Sequence, residues 1–304
     1  NAGNDWQKWT KGFPTTSVKD MVIHPREHDL VIGTFGRAAW VLDDIRPLRQ
    51  IAREKNTLSR KLHLFTPPTA YDAAYQQATG SRFGGDALYN GTNRDGGAPI
   101  AYYITKAEKN TKAKDNDEKD DDDTENDTSE KDDNTPKWDS IHLKIYDGSR
   151  EIRHLKWKTP DSTGIYKARW YLREAGGDRP SRSTRERKNE PGGVTVKPGT
   201  YKLVMSYGDQ QSESQIQVAS DPRLNVSQAT INGAYESGKT IQQLTQKAAD
   251  AVSQLVESKA VAEEYQKMLK KLDDKKYKEE LTDIKKVTKR LDEVIALYIG
   301  TIDK

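Results

Sequence analysis

The chain has 304 residues, 33% of them hydrophobic and 32% charged, with no cysteine and a net charge of +3. That length allows two or three domains, and that polarity puts much of the chain in loops or on solvated helix faces. The missing cysteine excludes disulfides, thiol catalysis and cysteine metal sites, and no run of about 18 apolar residues offers a membrane span.

In chain order, the stretch from Ser17 to Leu48 predicts three strands. Val18 to Ile23 alternates and stops at His24-Pro25. Asp29 to Phe35 is β-branched and ends at Gly36, and Ala38 to Leu42 carries Trp40 and ends at Asp43-Asp44. Short strands with Gly, Pro and Asp at the turns argue for a meander rather than βαβ units. A meander of about 30 residues cannot bury both faces, so it needs neighbours. Upstream, Gly3-Asn4-Asp5-Trp6 looks like the second half of an Asp-box turn, Ser-x-Asp-x-Gly-x-Thr-Trp, with Asn1 at the Asp position and Asp5 at the Thr position. In this register residues 1–48 resemble the closing blade of the sortilin-type, Asp-box (sialidase-like) family of bacterial β-propeller proteins. The resemblance implies an outer strand at Trp6 to Trp9 and a terminal blade. Because a propeller closes with about four to eight blades, it also implies that the chain is the C-terminal piece of a longer protein.

Residues 49–95 read as a polar connector with one short helical turn, a brief strand at Leu62 to Phe65, and a Gly/Asn/Tyr-rich extended segment from Tyr71 to Asn93. Gly96 to Ile104 predicts the first strand of a small β domain over 96–226. An insertion at 106–136 has no aromatic and almost no apolar residue, so it cannot offset its ordering entropy and is expected to be disordered. Thr105 to Lys137 holds seven lysines and thirteen acidic residues, net −6, which leaves +9 on the rest of the chain. That excess reads as charge on solvated helix faces and one loop. The acidic run lacks the Gly and the alternating ligands of an EF-hand, so calcium binding is not expected.

Strands resume at Ile141, Leu143 and Ile145, which alternate with polar residues, and Asp147-Gly148 turns the chain into Ile152 to Trp157. Ile165 to Leu172 predicts a further strand, Arg173 to Val194 a Gly/Arg/Glu loop, and Pro198-Gly199 launches a hairpin of Lys202 to Tyr207 with Ser214 to Val218. This order, with Gly-Ile-x-x-x-x-Trp at Gly164 to Trp170 and Pro-Gly-Thr-Tyr at Pro198 to Tyr201, resembles the Ig-like domain of flagellar hook-capping proteins. The resemblance to the propeller family and its Ig-like module covers residues 1 to about 226, and it implies a β-sandwich. Residues 227–304 change to a helical period. A heptad-like seam runs through Ile241, Leu244, Ala248, Ala251, Leu255, Ala262, Tyr265, Leu269 and Leu272, and repeats at Tyr277, Leu281, Ile284, Leu291, Val294 and Tyr298. The two stripes predict an antiparallel helical hairpin that also leans on the β domain, with self-association through the hairpin as one expectation. The fold class is therefore mainly β with a C-terminal helix pair.

No catalytic, cofactor-binding or metal-binding residue is assigned. His24 and His28 have helical ligand spacing, but Pro25 and the flanking strands forbid a helix there. His63, His142 and His154 are scattered and lack a third ligand in sequence. Gly33-Thr34-Phe35-Gly36-Arg37 lacks the Gly-Lys-Ser/Thr ending and following helix of a phosphate loop, so Gly36 reads as a turn glycine. Asp43 and Asp44 are adjacent and point apart if extended, whereas glycoside hydrolysis needs two carboxyls about 5 to 10 Å apart facing one sugar. Trp40 reads as blade-to-blade core, although Arg37 and Trp40 on a ligand surface is the alternative. The basic loop with Arg179, Arg182, Arg185, Arg187 and Lys188 interleaves acidic residues and lacks aromatics, which argues against nucleic acid. The resemblance implies an exported protein, secreted, periplasmic or on the cell surface. It also implies a non-catalytic binding or scaffolding role toward protein, peptide or glycan. Its alternative is an accessory region of a glycoside hydrolase or peptidase whose active site lies in blades outside this chain.

Overall fold

Residues that alternate in the sequence pair as strands, and those with a helical period form two long helices. The structure, a computed structural model, describes residues 3, 4, 6, 8, 9, 12–54, 56–73, 96–106, 138–183 and 190–300. The acidic insertion from 107 onward, Asn1, Asp5, the segment 74–95 and the basic-loop residues Arg185, Arg187 and Lys188 lie outside these.

Strands β1 (Val18–Ile23), β2 (Leu30–Thr34) and β3 (Ala39–Leu42) form an antiparallel three-stranded meander. Its turns use positive φ at His28, Gly36 and Ala38. No residue of the three strands is buried, and Met21, Val22 and Val41 are each more than half exposed. Helix α1 (Arg46–Arg53) starts inside the stretch expected to be blade and is two turns long rather than one. Pro47 sits in its first turn, where no backbone donor is missed. Ile51 of α1 packs on a small cluster of Phe65, Ala101 and Tyr103.

The main core lies between two sheets. Strands β4 (Leu62–Leu64), β6 (Ala98–Ile104) and β9 (Gly164–Trp170) form one, in the order β4-β6-β9. Strands β5 (Ala70–Asp72), β7 (Ser140–Asp147), β8 (Arg150–Lys158), β12 (Gly199–Tyr207) and β13 (Gln210–Ser220) form the other, in the order β5-β13-β12-β7-β8. Ile100, Ile104, Leu143, Ile145, Leu203 and Met205 are fully buried between them, each contributing about 1.5–3 kcal/mol of transfer free energy. β5 pairs parallel with the end of β13, from Val218 opposite Ala70. The first half of β13 leans instead on β4, where Leu64 N–H donates to Ser212 Oγ at 2.9 Å. That contact draws the sheets together along one side. On the other side β8 and β9 are joined by the short loop 159–163 but do not pair, so the sheets form a curled half-barrel with an open side.

The expected loop from Arg173 to Val194 carries a ribbon instead: β10 (Arg173–Ala175) pairs antiparallel with β11 (Gly192–Thr195). Helix α2 (Gln228–Asp273) begins at Ser227, whose Oγ accepts from Thr230 N–H, and α3 (Lys278–Ile299) ends at Gly300 with φ +73°. The two pack antiparallel, with Lys259 Nζ 2.7 Å from Asp292 Oδ1. Most of the expected stripe lies on the packed face: Leu281 is buried, and Ala248, Ala251, Leu255, Ala262, Leu269, Tyr277, Ile284, Leu291 and Val294 are half-buried. Val252 and Ile295, outside that stripe, are buried too, while Ile241, Leu244, Tyr265 and Leu272 are more than half exposed. Ile241 and Leu244 stay exposed because the first turns of α2 face the ribbon with polar side chains rather than a partner helix with apolar ones. No described helix is long and apolar enough to cross a membrane.

Candidate ligand-binding seam

The open side of the half-barrel is bounded by β8 and β9. Phe65 N–H donates to Ala101 O and Thr105 N–H to Lys61 O, so the odd residues of β6 present their backbone to β4 and the even residues to β9. Tyr166 and Ala168 stand opposite Tyr102 and Ile100. The alternation of an antiparallel ladder then turns the backbone groups of Ile165, Lys167 and Arg169 away from β6, into the seam. On β8, Thr159 N–H donates to Asp139 O, which places the odd residues toward β7 and turns Lys156 and Lys158 outward. His154, of the same parity, has its N–H 3.4 Å from Glu190 Oε2. Among the described residues no strand pairs with either edge.

Side chains alternate across these strands as the backbone does. Inward, Trp157 Nε1–H donates to Tyr102 OH at 2.9 Å, and the Tyr102 ring lies 5.9 Å from Trp157 and 6.0 Å from Tyr166. Tyr166 OH donates to Ser162 O at 2.8 Å, which fixes its ring. Outward, Lys156 and Lys167 flank the opening, and Lys167 Nζ donates to Asp43 O at 2.7 Å. The resulting groove has a volume of about 670 Å³ and continues past Arg153 and Tyr171 into a second of about 410 Å³ that reaches Gly97 and Gly192. Both lie in the usual size range for ligand sites. Arg153 marks their junction. Its guanidinium donates to Glu190 O at 2.8 Å, to Glu174 O at 3.3 Å and to Pro191 O. Burial pulls its pKa below the ordinary arginine value, with Glu190 acting in the opposite sense; it stays charged.

Among the described residues, the most perturbed carboxyl is that of Glu174 on β10, whose side chain is 4% exposed. Arg150 donates to both its oxygens at 3.0 and 2.8 Å, Tyr235 OH donates at 2.6 Å and Lys239 Nζ at 3.0 Å. Burial opposes its charge, but the hydrogen bonds from Arg150, Tyr235 and Lys239 prevail and hold its pKa down to about 2. All three donors come from the body and α2, so the carboxylate joins these elements and has no face left for a substrate. Around it, Gln242 Nε2 donates to Ala175 O at 2.9 Å and Asp178 N–H to Gln246 Oε1 at 2.7 Å. Tyr235, Lys239, Gln242 and Gln246 repeat every three or four residues, a polar stripe on one helix face.

The candidates raised from sequence fall in scattered places. His24 Nδ1 accepts from Glu27 N–H in the first turn of the meander, and His28 has φ +58°. Asp44 has φ +50° and binds Arg46, and Asp43 gives its carbonyl to Lys167, so the two serve a turn. Trp40 is 36% exposed: its indole donates to Arg37 O at 2.8 Å and its ring meets Phe13 edge-on at 5.6 Å. His63 is buried beside Arg60 and Phe65, and burial and then Arg60 lower its pKa. His142 and His154 stack on the outer sheet face with Nδ1 and Nε2 2.8 Å apart. Among the described residues no group of three or more His, Asp or Glu could hold a metal. Arg182 donates to Gly300 O at 2.5 Å and so caps the end of α3.

The seam residues escaped the sequence reading because they look like ordinary strand alternation. The signal present was the interleaving of cations and aromatics at Lys156-Trp157-Lys158 and Tyr166-Lys167-Ala168-Arg169. No protein-family model, curated protein or solved structure matches the chain, so its function is argued from this geometry.

Proposed function

We propose that the chain is a binding or scaffolding portion of an exported propeller protein, and that its ligand contacts the seam between β8 and β9. The seam carries this reading: aromatic rings fixed by hydrogen bonds form its floor, cations flank it, and paired strands hold both rigid. The meander supports a terminal blade, because Met21, Val22 and Val41 are apolar and uncovered, as a strand set made for neighbours would be. Gly3, at the glycine position of the Asp-box, has φ +88°, which suits that turn. Two sheets around one core support the Ig-like sandwich.

The test is a titration of the intact chain with three probes: a blocked acidic peptide, cellohexaose and oligogalacturonate. Saturable binding of any one, weakened by Lys156→Glu, is the expected result. Absence of binding by all three overturns the reading.

A further inference from the structure

We propose, resting on that reading, that the ligand is an extended peptide of alternating apolar and acidic residues, bound as an added strand between β8 and β9. Lys156 and Lys158 on one edge, and Ile165 and Lys167 on the other, turn their backbone donors and acceptors into the seam, and no described strand takes them up. Strand addition satisfies such edges with main-chain hydrogen bonds and leaves specificity to alternate side chains. Neighbouring strands sit about 4.8 Å apart and packed sheets about 10 Å apart, so one strand fits between the edges of two facing sheets.

The groove residues order the two edges. Arg153 and Leu155 share the inner groove with Trp170 and Tyr171, while Trp157 shares the outer one with Tyr166. β8 and β9 therefore run in opposite directions, and the added strand is parallel to one and antiparallel to the other.

The alternation follows from what lies on each side. Inward-pointing side chains of the added strand meet Leu155, Trp157, Tyr166 and Ala168, an apolar floor whose ring donors are already satisfied. Outward-pointing ones lie between Lys156 and Lys167, which asks for carboxylates. The chain itself supplies a small precedent. Glu190 places a carboxylate oxygen against the edge N–H of His154 and 3.7 Å from Arg153. A neutral glycan would bring no countercharge to Lys156 and Lys167 and no regular alternation of donors and acceptors to the strand edges. An acidic glycan would answer the cations but not the alternating edge of donors and acceptors.

The experiment uses the full chain and a fluorescein-labelled peptide of about eight residues, the length of a typical strand, alternating valine and glutamate and blocked at both ends. Fluorescence anisotropy should show saturable binding. Binding should weaken at least roughly tenfold, about 1.4 kcal/mol, when alternate backbone nitrogens of the peptide are methylated. The same loss is expected from the double variant Lys156→Glu/Lys167→Glu, both surface positions, with unchanged circular dichroism. Equal binding of the methylated peptide would mean attraction by charge alone and would overturn the proposal. So would binding of oligogalacturonate or cellohexaose without the peptide, an outcome that leaves the broader binding role standing. No binding by any probe would remove both.

Discussion

Arg150 and Glu174 meet with two parallel hydrogen bonds, 3.0 and 2.8 Å long, between a hairpin of the main sheet and the short ribbon. Tyr235 and Lys239 add α2 to the same carboxylate, so one side chain secures three elements. A bidentate guanidinium–carboxylate pair is stronger than a lone surface bridge, and here one partner is buried.

The pH dependence of stability follows. The folded pKa of Glu174, about 2, lies below the ordinary glutamate value near 4.3. The stabilisation is complete above the unfolded pKa and is lost as pH falls through the folded one. It amounts to about 3 kcal/mol, disappearing between about pH 4.5 and pH 2. Glu174→Gln should cost about 2–4 kcal/mol at neutral pH and flatten the acid limb. Urea unfolding at several pH values checks both.

His63 acts in a higher window. Burial, then Arg60, lowers its folded pKa, so the unfolded chain binds the extra proton. Stability is full above the ordinary histidine value near 6.5 and declines as pH falls below it. His142 is shifted in the same direction, first by burial and then by His154. His63→Gln should reduce the slope of stability against pH between about 7 and 5, and His142→Asn should reduce what remains. An unchanged slope in both variants would contradict the assignment.

Close approach of the ribbon to α2 depends on glycine. A Cβ at Gly193 would lie 2.3 Å from Ala175 O and 2.7 Å from Gln242 Oε1, one of them backbone that cannot step aside. Gly193→Ala should destabilise by about 2–3 kcal/mol and speed amide exchange in the first turns of α2. Gly233 has nothing within 4 Å of such an atom and lies inside the helix, so Gly233→Ala should stabilise by about 0.5–1 kcal/mol. Thermal melts of the two variants should move in opposite directions.

The hairpin makes a similar contrast. Ile295 is 2% exposed and Leu297, two residues on, 85%. Ile295→Ala should cost about 2–4 kcal/mol, and Leu297→Ala about 0.5 kcal/mol or less. Comparable losses from both would mean that Leu297 packs against something in solution, and sedimentation would then identify a second copy.

Legibility in the sequence followed the range of the forces involved. Ile141, Leu143 and Ile145 alternate over one strand, a local pattern, and their burial was readable from it. The helix pair and most of its stripe were readable from the period, but the exposure of Ile241 and Leu244 was not, because Tyr235 to Gln246 answer to the ribbon and not to α3. The ribbon was not readable. Arg173-Glu174-Ala175 and Gly192-Gly193-Val194-Thr195 have no apolar alternation, and their pairing depends on contacts from far along the chain. Ala70 to Asp72 was lost for the same reason: only its parallel match with β13 makes it a strand. The seam exists only where two sheet edges converge, so in the sequence Trp157 and Tyr166 are members of two separate strands with nothing to join them. Glu174 looked like one more charge in a mixed-charge loop, and nothing local announces that its three donors come from positions as far apart as 150 and 239.

Among the described residues, the hydrogen bonds that tie the 46-residue α2 to the body run from Tyr235 to Gln246, near its start. The part beyond, up to the turn at Asp273, spans roughly 40 Å at 1.5 Å per residue and is stiffened by α3. Such an arrangement is a lever with a short grip and a long arm. A tilt of about 5° at the Glu174 grip would carry the far turn through about 3–4 Å, so whatever loosens or tightens that grip is amplified at the tip.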